Sequence, residues 1–435
     1  MDPFWIGISV ILLFLILVFL GVYVGVALGI AAVIGLIAIV GLRSAVSLTT
    51  TSFFYFVTKE SLIVLPLFIL LGYLASGGEI ASRAFAALSK WLGRMPGGLG
   101  LSTIGLATLL GSVTGSSYVT AVLMAQVAAP QMIKHGYSKR IAYGLAASSG
   151  IIGMLIPPSI LAVYWALLVE VSLAKMLLAG IGAGLVVAIC LSAGLILWIS
   201  VKPSLAPRTS QASSWTERLK AVPALWPFAL IVGVIWGGIF AGVFTVVEAA
   251  AIAVFAFTCV LAITGTLHWP FLKSCLLRTA SLTAAIYLIL LSATLFSRCL
   301  GVSGVGTRLV DVILSLHPTP FLLMVGLSLL YLFLGCFMGT LEMMALTIPF
   351  VLPLMQSMNI DFVWAGVVLI TASQIGIITP PVGVAVYLVQ SVAGPDATTE
   401  DIFAGSFPFF LAQVLATAIL IAFPAVSMIF PNLIA

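Results

Sequence analysis

Two short blocks rich in glycine and hydroxyl residues, each followed downstream by a Pro-Pro pair, are where this sequence could do chemistry. The first is Gly111-Ser112-Val113-Thr114-Gly115, with Ser116, Ser117, Tyr118 and Thr120 behind it, then Ile156-Pro157-Pro158-Ser159. The second is Gly335-Cys336-Phe337-Met338-Gly339 with Thr340, then Thr379-Pro380-Pro381-Val382. The glycines are offset by 224 positions and the prolines by 223. Each block interrupts an apolar run, and a helix interrupted inside a membrane leaves free carbonyls at one end and free amides at the other. Such ends suit a cation and an anion. Glycine lets a backbone oxygen approach an ion closely, and proline leaves a carbonyl of the preceding turn unbonded. One candidate ion site therefore takes Ser112, Thr114 and Gly115 against the stretch from Gly150 through Gly153 to Pro157. The other takes Gly335 and Gly339 against Gly376 to Thr379.

A bland account competes at each place. GxxxG in an apolar helix also serves as a close packing face, and serines there bond back to their own helix. Recurrence of both marks in both halves favours a binding role over packing alone. Thr340 with Glu342 also fits a helix start with a favourable first-turn charge.

The coupling ion follows from what is scarce. Intramembrane proton relays use Asp, Glu or His, and the clear candidates here are Glu342 and Glu248, both near helix starts. Cages of carbonyl and hydroxyl oxygen suit Na⁺ better, so the expectation is Na⁺ and no other metal or cofactor. The five cysteines read as small buried side chains, and His135, His268 and His317 are scattered.

The elements that must position these blocks are set by composition. A chain of 435 residues that is 63% hydrophobic and 7% charged is built for a lipid bilayer. Long apolar runs, rather than short alternating ones, make the spans helical. A pI of about 9.0 does not signal nucleic acid, because the basic residues sit in short loops between spans. The Met1-Asp2-Pro3-Phe4 start lacks the features of a cleaved signal, so the first apolar segment is expected to be retained.

Phe4 to Val40 is uncharged and too long for one span, which predicts two helices meeting near Leu20-Gly21. Gly41 to Glu60 turns polar before a span from Leu62 to Ala75; its counterpart is amphipathic Leu267 to Ala280 followed by a span from Leu282 to Phe296. Each glycine block falls inside a run too short on either side to cross, which predicts a re-entrant helical hairpin over about 98–133 and again over about 318–357. Helices broken by Pro-Pro follow, over about 141–169 and 362–393. The chain thus divides into repeats 1–201 and 222–435 joined by a polar linker, 202–221. Placing the linker in the cytoplasm puts 12 of the 17 basic residues inside and makes the repeats inverted, one hairpin entering from each face.

At these residues the chain resembles the large membrane subunit of tripartite ATP-independent periplasmic (TRAP) transporters. The resemblance runs nearly end to end, through Pro66-Leu67-Phe68-Ile69 with Gly72, Gly115-Ser116-Ser117, Gly136-Tyr137, Ile156 to Ser159, Thr245 to Ala250 and Gly376 to Gly383. It implies an all-α polytopic elevator-type transporter coupled to Na⁺. Its implied partners are a periplasmic substrate-binding protein that delivers an organic acid and a small four-helix membrane subunit. It places one Na⁺ at each tip and break, and the carboxylated substrate between the tips at Ser116, Ser117, Thr120, Thr340, Pro158 and Pro381. This chain departs from the family pattern at Gln374, where a glutamate is common, at Gly339, where an aspartate is common, and after Gly383. The alternative is a stand-alone ion-coupled anion carrier without a binding protein. An intramembrane enzyme would need paired acids or a nucleophile with a base at helical spacing, and the sequence offers neither.

Overall fold

The computed structural model describes residues 2–77, 80–203, 206 and 214–433. Arg208, with most of the linker's middle, lies outside them. All regular elements among the described residues are helical. The first half runs α1 Pro3–Phe19, α2 Val24–Val40, α3 Leu42–Val57, α4 Val64–Ala75, α5 Ile80–Leu92 and α6 Gly98–Thr114. Next come α7 Ser117–Leu123, a π turn Met124–Ala128, α8 Ala129–Lys134, α9 Lys139–Ser149, α10 Ile152–Leu155, α11 Ile160–Val169 and α12 Leu173–Val201.

The second half has α13 Trp215–Ala221, α14 Trp226–Val232, α15 Gly238–Phe240, α16 Val246–Ile263 and α17 Trp269–Ser303. It continues with α18 Val305–Ser315, α19 Pro320–Gly335, α20 Thr340–Ser357, α21 Phe362–Gly376, α22 Val384–Ala393, α23 Thr399–Ala422 and α24 Pro424–Met428. Among the described residues, six helical stretches are long and apolar enough to cross a membrane, or up to eight if each of two bent pairs counts as one span. α6 and α19, at 17 and 16 residues, fall short, at about 1.5 Å per residue, of the roughly 30 Å of hydrocarbon.

Local chemistry sets the helix starts. Ser138, Ser159, Asp361 and Thr398 each cap the helix that follows through a side-chain oxygen. Thr245 and Glu248 form a reciprocal capping box at the start of α16, with Thr245 N donating to Glu248 Oε2 at 2.8 Å. Glu248 is exposed there. Its carboxylate is thus engaged at the helix end, as the cap of α16.

Two segments differ from expectation. The polar stretch after Gly41 is helix α3, because its hydroxyls turn inward to their own backbone: Thr49 Oγ1 donates to Ala45 O, Thr51 Oγ1 to Ser47 O and Ser52 Oγ to Leu48 O. Where an amphipathic piece and a separate span are expected over 267–296, one helix of 35 residues, α17, runs from Trp269 to Ser303. No Gly or Pro separates Leu272 from Leu300. The first half does break there, and α3 meets the following helical segment at 60°.

The halves are joined by close helix contacts. α9 packs against α23 so tightly that a Cβ on Gly144 would overlap the Gly405 backbone, and one on Gly405 would overlap the Arg140 carbonyl. Arg140 Nη2 meets Asp401 Oδ1 at 3.0 Å at one end, and Gln413 Nε2 donates to Ser148 O at 2.9 Å further along. Burial of these backbones depends on the missing side chains. Gly144→Val should therefore cost about 1–3 kcal/mol or more by overpacking and lower the thermal unfolding midpoint of the purified protein by several degrees. Gly301→Ala, where a Cβ meets nothing within 4 Å, serves as control and should leave the midpoint unchanged. Equal midpoints for the two variants would refute this account of the α9 and α23 contact.

Candidate functional site

The first tip is narrower than the sequence suggests. Helix α6 runs through Gly111, Ser112 and Thr114, and only Gly115 and Ser116 separate it from α7. Gly115 takes φ +58°, a left-handed conformation that costs a side chain dearly, and its carbonyl accepts from Ile160 N at 3.4 Å. A Cβ here would lie 2.5 Å from Pro158 O. The tip is thus seated directly on the second Pro of its broken helix.

The seating extends along both walls. A Cβ on Gly111 would stand 2.8 Å from Gly153 Cα, and one on Gly153 would stand 3.0 Å from Ser116 O. Gly150 faces Ser117 O at 2.6 Å by the same measure. Ile152–Leu155 forms a single turn, α10, between two nonhelical joints, and every residue from Ile151 to Ile160 is buried. Pro157 O is not free, since Trp236 Nε1 donates to it at 3.2 Å.

Among the hydroxyls, some are occupied. Ser112 Oγ donates to Leu109 O at 2.7 Å, and Thr114 Oγ1 pairs with Thr120 Oγ1 at 2.9 Å. Ser116 Oγ accepts from Val119 N as the cap of α7. Ser117 Oγ is buried without a partner among the described residues. So are Ser148 Oγ and Gln413 Oε1, on the α9 and α23 walls. A buried polar atom left unpaired costs about 1–3 kcal/mol, so these oxygens are open to a further partner. The sequence reading did not single out Ser148 or Gln413. The available signal was a glutamine and paired serines in otherwise apolar helices.

At the second tip four residues, 336–339, separate α19 from α20. A Cβ on Gly335 would lie 2.6 Å from Ser373 O and 3.3 Å from Gly376 Cα, which repeats the Gly111 and Gly153 contact of the first half. Thr340 does not cap α20: Gly339 holds that position, and Thr340 Oγ1 accepts from Gln374 Nε2 at 2.8 Å. Gln374 is 1% exposed, and its Oε1 has no partner among the described residues. Thr379 Oγ1 donates back to Ile375 O at 2.7 Å. The carboxylate of Glu342 folds over Gly339, filling the space a Cβ would need.

The Pro-Pro pairs differ in surroundings. Pro157 and Pro158 are buried, whereas Pro380, Pro381 and Val382 are exposed. Both pairs are joined by a cis peptide bond. The structure therefore brings Gly111, Thr114, Gly115, Ser117, Thr120, Gly150, Gly153 and Pro158 into one buried cluster, and Gly335, Thr340, Gln374 and Gly376 into another. Pro381 sits apart from that second cluster's buried floor.

Among the described residues, the buried side-chain oxygens left open beside the tips are uncharged hydroxyl and amide groups, a donor set for a hard cation rather than a soft metal.

Comparison with known proteins identifies the architecture. The chain is 29% identical over 432 residues to the sialic acid TRAP transporter permease protein SiaT of Haemophilus influenzae, covering 98% of this chain and 68% of that one. It is 30% identical to the sialic acid large permease protein SiaM of Vibrio cholerae, covering 86% of each. The C4-dicarboxylate large permease protein DctM of Pseudomonas aeruginosa is 28% identical, with 87% of this chain and 88% of that one covered. The fold matches the YdaH transporter of Alcanivorax borkumensis with a TM-score of 0.62 at 15% identity, over 88% of this chain and 89% of that one. With its apolar helices, the chain is a multi-pass inner-membrane transport protein. Residues 11–426 match the model of the tripartite ATP-independent periplasmic transporter DctM component, and the chain belongs to that family, the large permease subunits.

Proposed function

We propose that this chain imports an organic acid together with Na⁺, receiving it from a periplasmic substrate-binding protein and working beside a small four-helix membrane subunit. Repeats 1–201 and 222–435 are inverted, each sending one hairpin toward the middle of the membrane. The hairpins and broken helices move as a unit against the long helices α2, α16 and α17, in the manner of an elevator. Relatives include permeases named for sialic acid, C4-dicarboxylates and, in Halomonas elongata, ectoine. All three solutes bear a carboxylate.

One observation carries the reading. Both halves seat a hairpin glycine on a glycine of the broken helix, Gly111 on Gly153 and Gly335 on Gly376, and leave uncharged oxygen unpartnered beside it, at Ser117 and Ser148 in one half and at Gln374 in the other. Hydroxyl and amide oxygen of this kind suits an ion that keeps its charge, Na⁺, better than a proton, which needs a base.

In vesicles containing the chain and its partners, uptake of N-acetylneuraminate, succinate or ectoine should fall at least tenfold when external Na⁺ is replaced by choline at fixed pH. Unchanged uptake would sink the coupling. Ser117→Ala and Gln374→Leu each remove one oxygen, so half-saturating Na⁺ should rise tenfold to a hundredfold, corresponding to about 1–3 kcal/mol. Folding, followed by the thermal midpoint, should be kept, and a wild-type Na⁺ dependence in both variants would remove these oxygens from the ion sites.

A further inference from the structure

Helix α17 carries two arginines, Arg278 and Arg298, that have no ion-pair partner among the described residues. They stand 20 residues apart, about 30 Å along the helix, which matches the hydrocarbon thickness. Cations at that spacing stand at the two ends of the span, where a guanidinium can meet an anion arriving from either side.

Each arginine opens into its own cleft. Arg278 lines a cleft of about 310 Å³ with Tyr73 and Ser76 of the α4 segment, Tyr118 of α7 and Gln126 of the π turn. Arg298 lines one of about 230 Å³ with Ser297, with Ala345 and Pro349 of α20, and with the ion pair of Lys59 and Glu170. The two clefts correspond under the internal repeat. Tyr73 matches Ser297 at an offset of 224, and Val122 and Gln126 match Ala345 and Pro349 at 223. Each is therefore the space between α17 and the helix that leaves a hairpin tip. In the first, Tyr118 follows directly on the tip residues Ser116 and Ser117. In the second, Glu170 neutralises Lys59, which leaves Arg298 as the unpaired charge.

We propose that Arg278 and Arg298 are the anion-holding residues of the two vestibules, each binding the carboxylate of the solute on one side of the membrane as it enters or leaves the hairpin tips. The inference rests on the transport reading above, since an unpaired guanidinium here serves a carboxylate only if one passes. Guanidinium offers a fork of donors that fits carboxylate oxygens two at a time, and Tyr118 and Gln126 add neutral donors beside Arg278. Lysine keeps the charge but loses the fork. With repeats inverted and the linker cytoplasmic, Arg278 faces the cytoplasm and Arg298 the periplasm.

The test uses the full chain with its partners in vesicles, and the transported member of N-acetylneuraminate, succinate and ectoine. R298Q should raise the half-saturating outside solute at least fivefold with maximal rate kept. R278Q should raise the half-saturating inside solute in counterflow at least fivefold and leave the outside value unchanged. Lysine at either place should recover part of the loss. Wild-type half-saturation on both faces in both glutamine variants overturns the proposal, as does a loss confined to maximal rate that lysine does not relieve. A second measurement does not depend on transport. Phenylglyoxal labelling of Arg278 and Arg298 in detergent, mapped by mass spectrometry, should be slowed by at least one of the three carboxylates and not by equal chloride. Protection by phosphatidylglycerol alone would assign the arginines to lipid phosphate and overturn the proposal. Absence of any uptake by the wild-type protein, with labelling still slowed by carboxylate, would instead refute the transport reading and leave the anion sites standing.

Discussion

Backbone in hydrocarbon must find its hydrogen-bond partners within the protein, and the two interrupted regions of this chain are possible only because each interruption covers the other. A hairpin tip exposes amides and carbonyls, and so does a helix stopped by Pro-Pro. Seating Gly115 on Pro158 and Gly111 on Gly153 buries both sets at once, and the Gly115 carbonyl takes the Ile160 amide directly. The glycines are needed because two main chains approach more closely than a Cβ allows. Beside the seated backbones, the side-chain oxygens of Ser117, Ser148, Gln374 and Gln413 stay unpaired among the described residues.

The same constraint is met differently in the two halves. In the first, Trp236 and Gln413 reach in from distant helices to satisfy Pro157 O and Ser148 O, and the whole break is buried. In the second, the tip is two residues wider, and Pro380 to Val382 remain exposed. Gln374 ties the broken helix to the hairpin through the Thr340 hydroxyl, whereas at the first break Gln413 meets a backbone carbonyl. A repeat need only preserve backbone geometry, and side chains at matching positions then diverge.

Much of this was legible in the sequence because it is encoded locally. Pro3–Phe19 and Val24–Val40 meet near Leu20-Gly21, as an uncharged run too long for one span requires, and the Pro-Pro pairs mark real breaks. Position along the hairpin was less legible: Ser112 and Thr114 lie in the last turn of α6, since a Gly-Ser-Val-Thr stretch stays helical when a neighbouring glycine, Gly115, supplies the turn. The helicity of α3 was hidden by hydroxyls whose composition reads as polar but which bond to the preceding turn. Ser148 with Gln413 could not be paired from the sequence, because 265 positions separate them and no spacing rule spans that distance.

The scarcity of acids has an electrostatic consequence for the proposed mechanism. The open side-chain oxygens at both tips are neutral and can solvate a cation but not neutralise it; at the second tip the Glu342 carboxylate over Gly339 supplies one negative charge, and Gln374 and Gly339 stand where acids would add more. At low effective dielectric, an unneutralised charge is costly, and an anion a few ångströms away offsets several kcal/mol of that cost. In the proposed scheme the substrate's carboxylate supplies that anion. Cation and carboxylate would then each raise the other's affinity by the same factor, as linkage requires. Coupling of this kind needs no dedicated acidic residue, only a shared and poorly solvated site, which two hairpin tips seated on two broken helices provide.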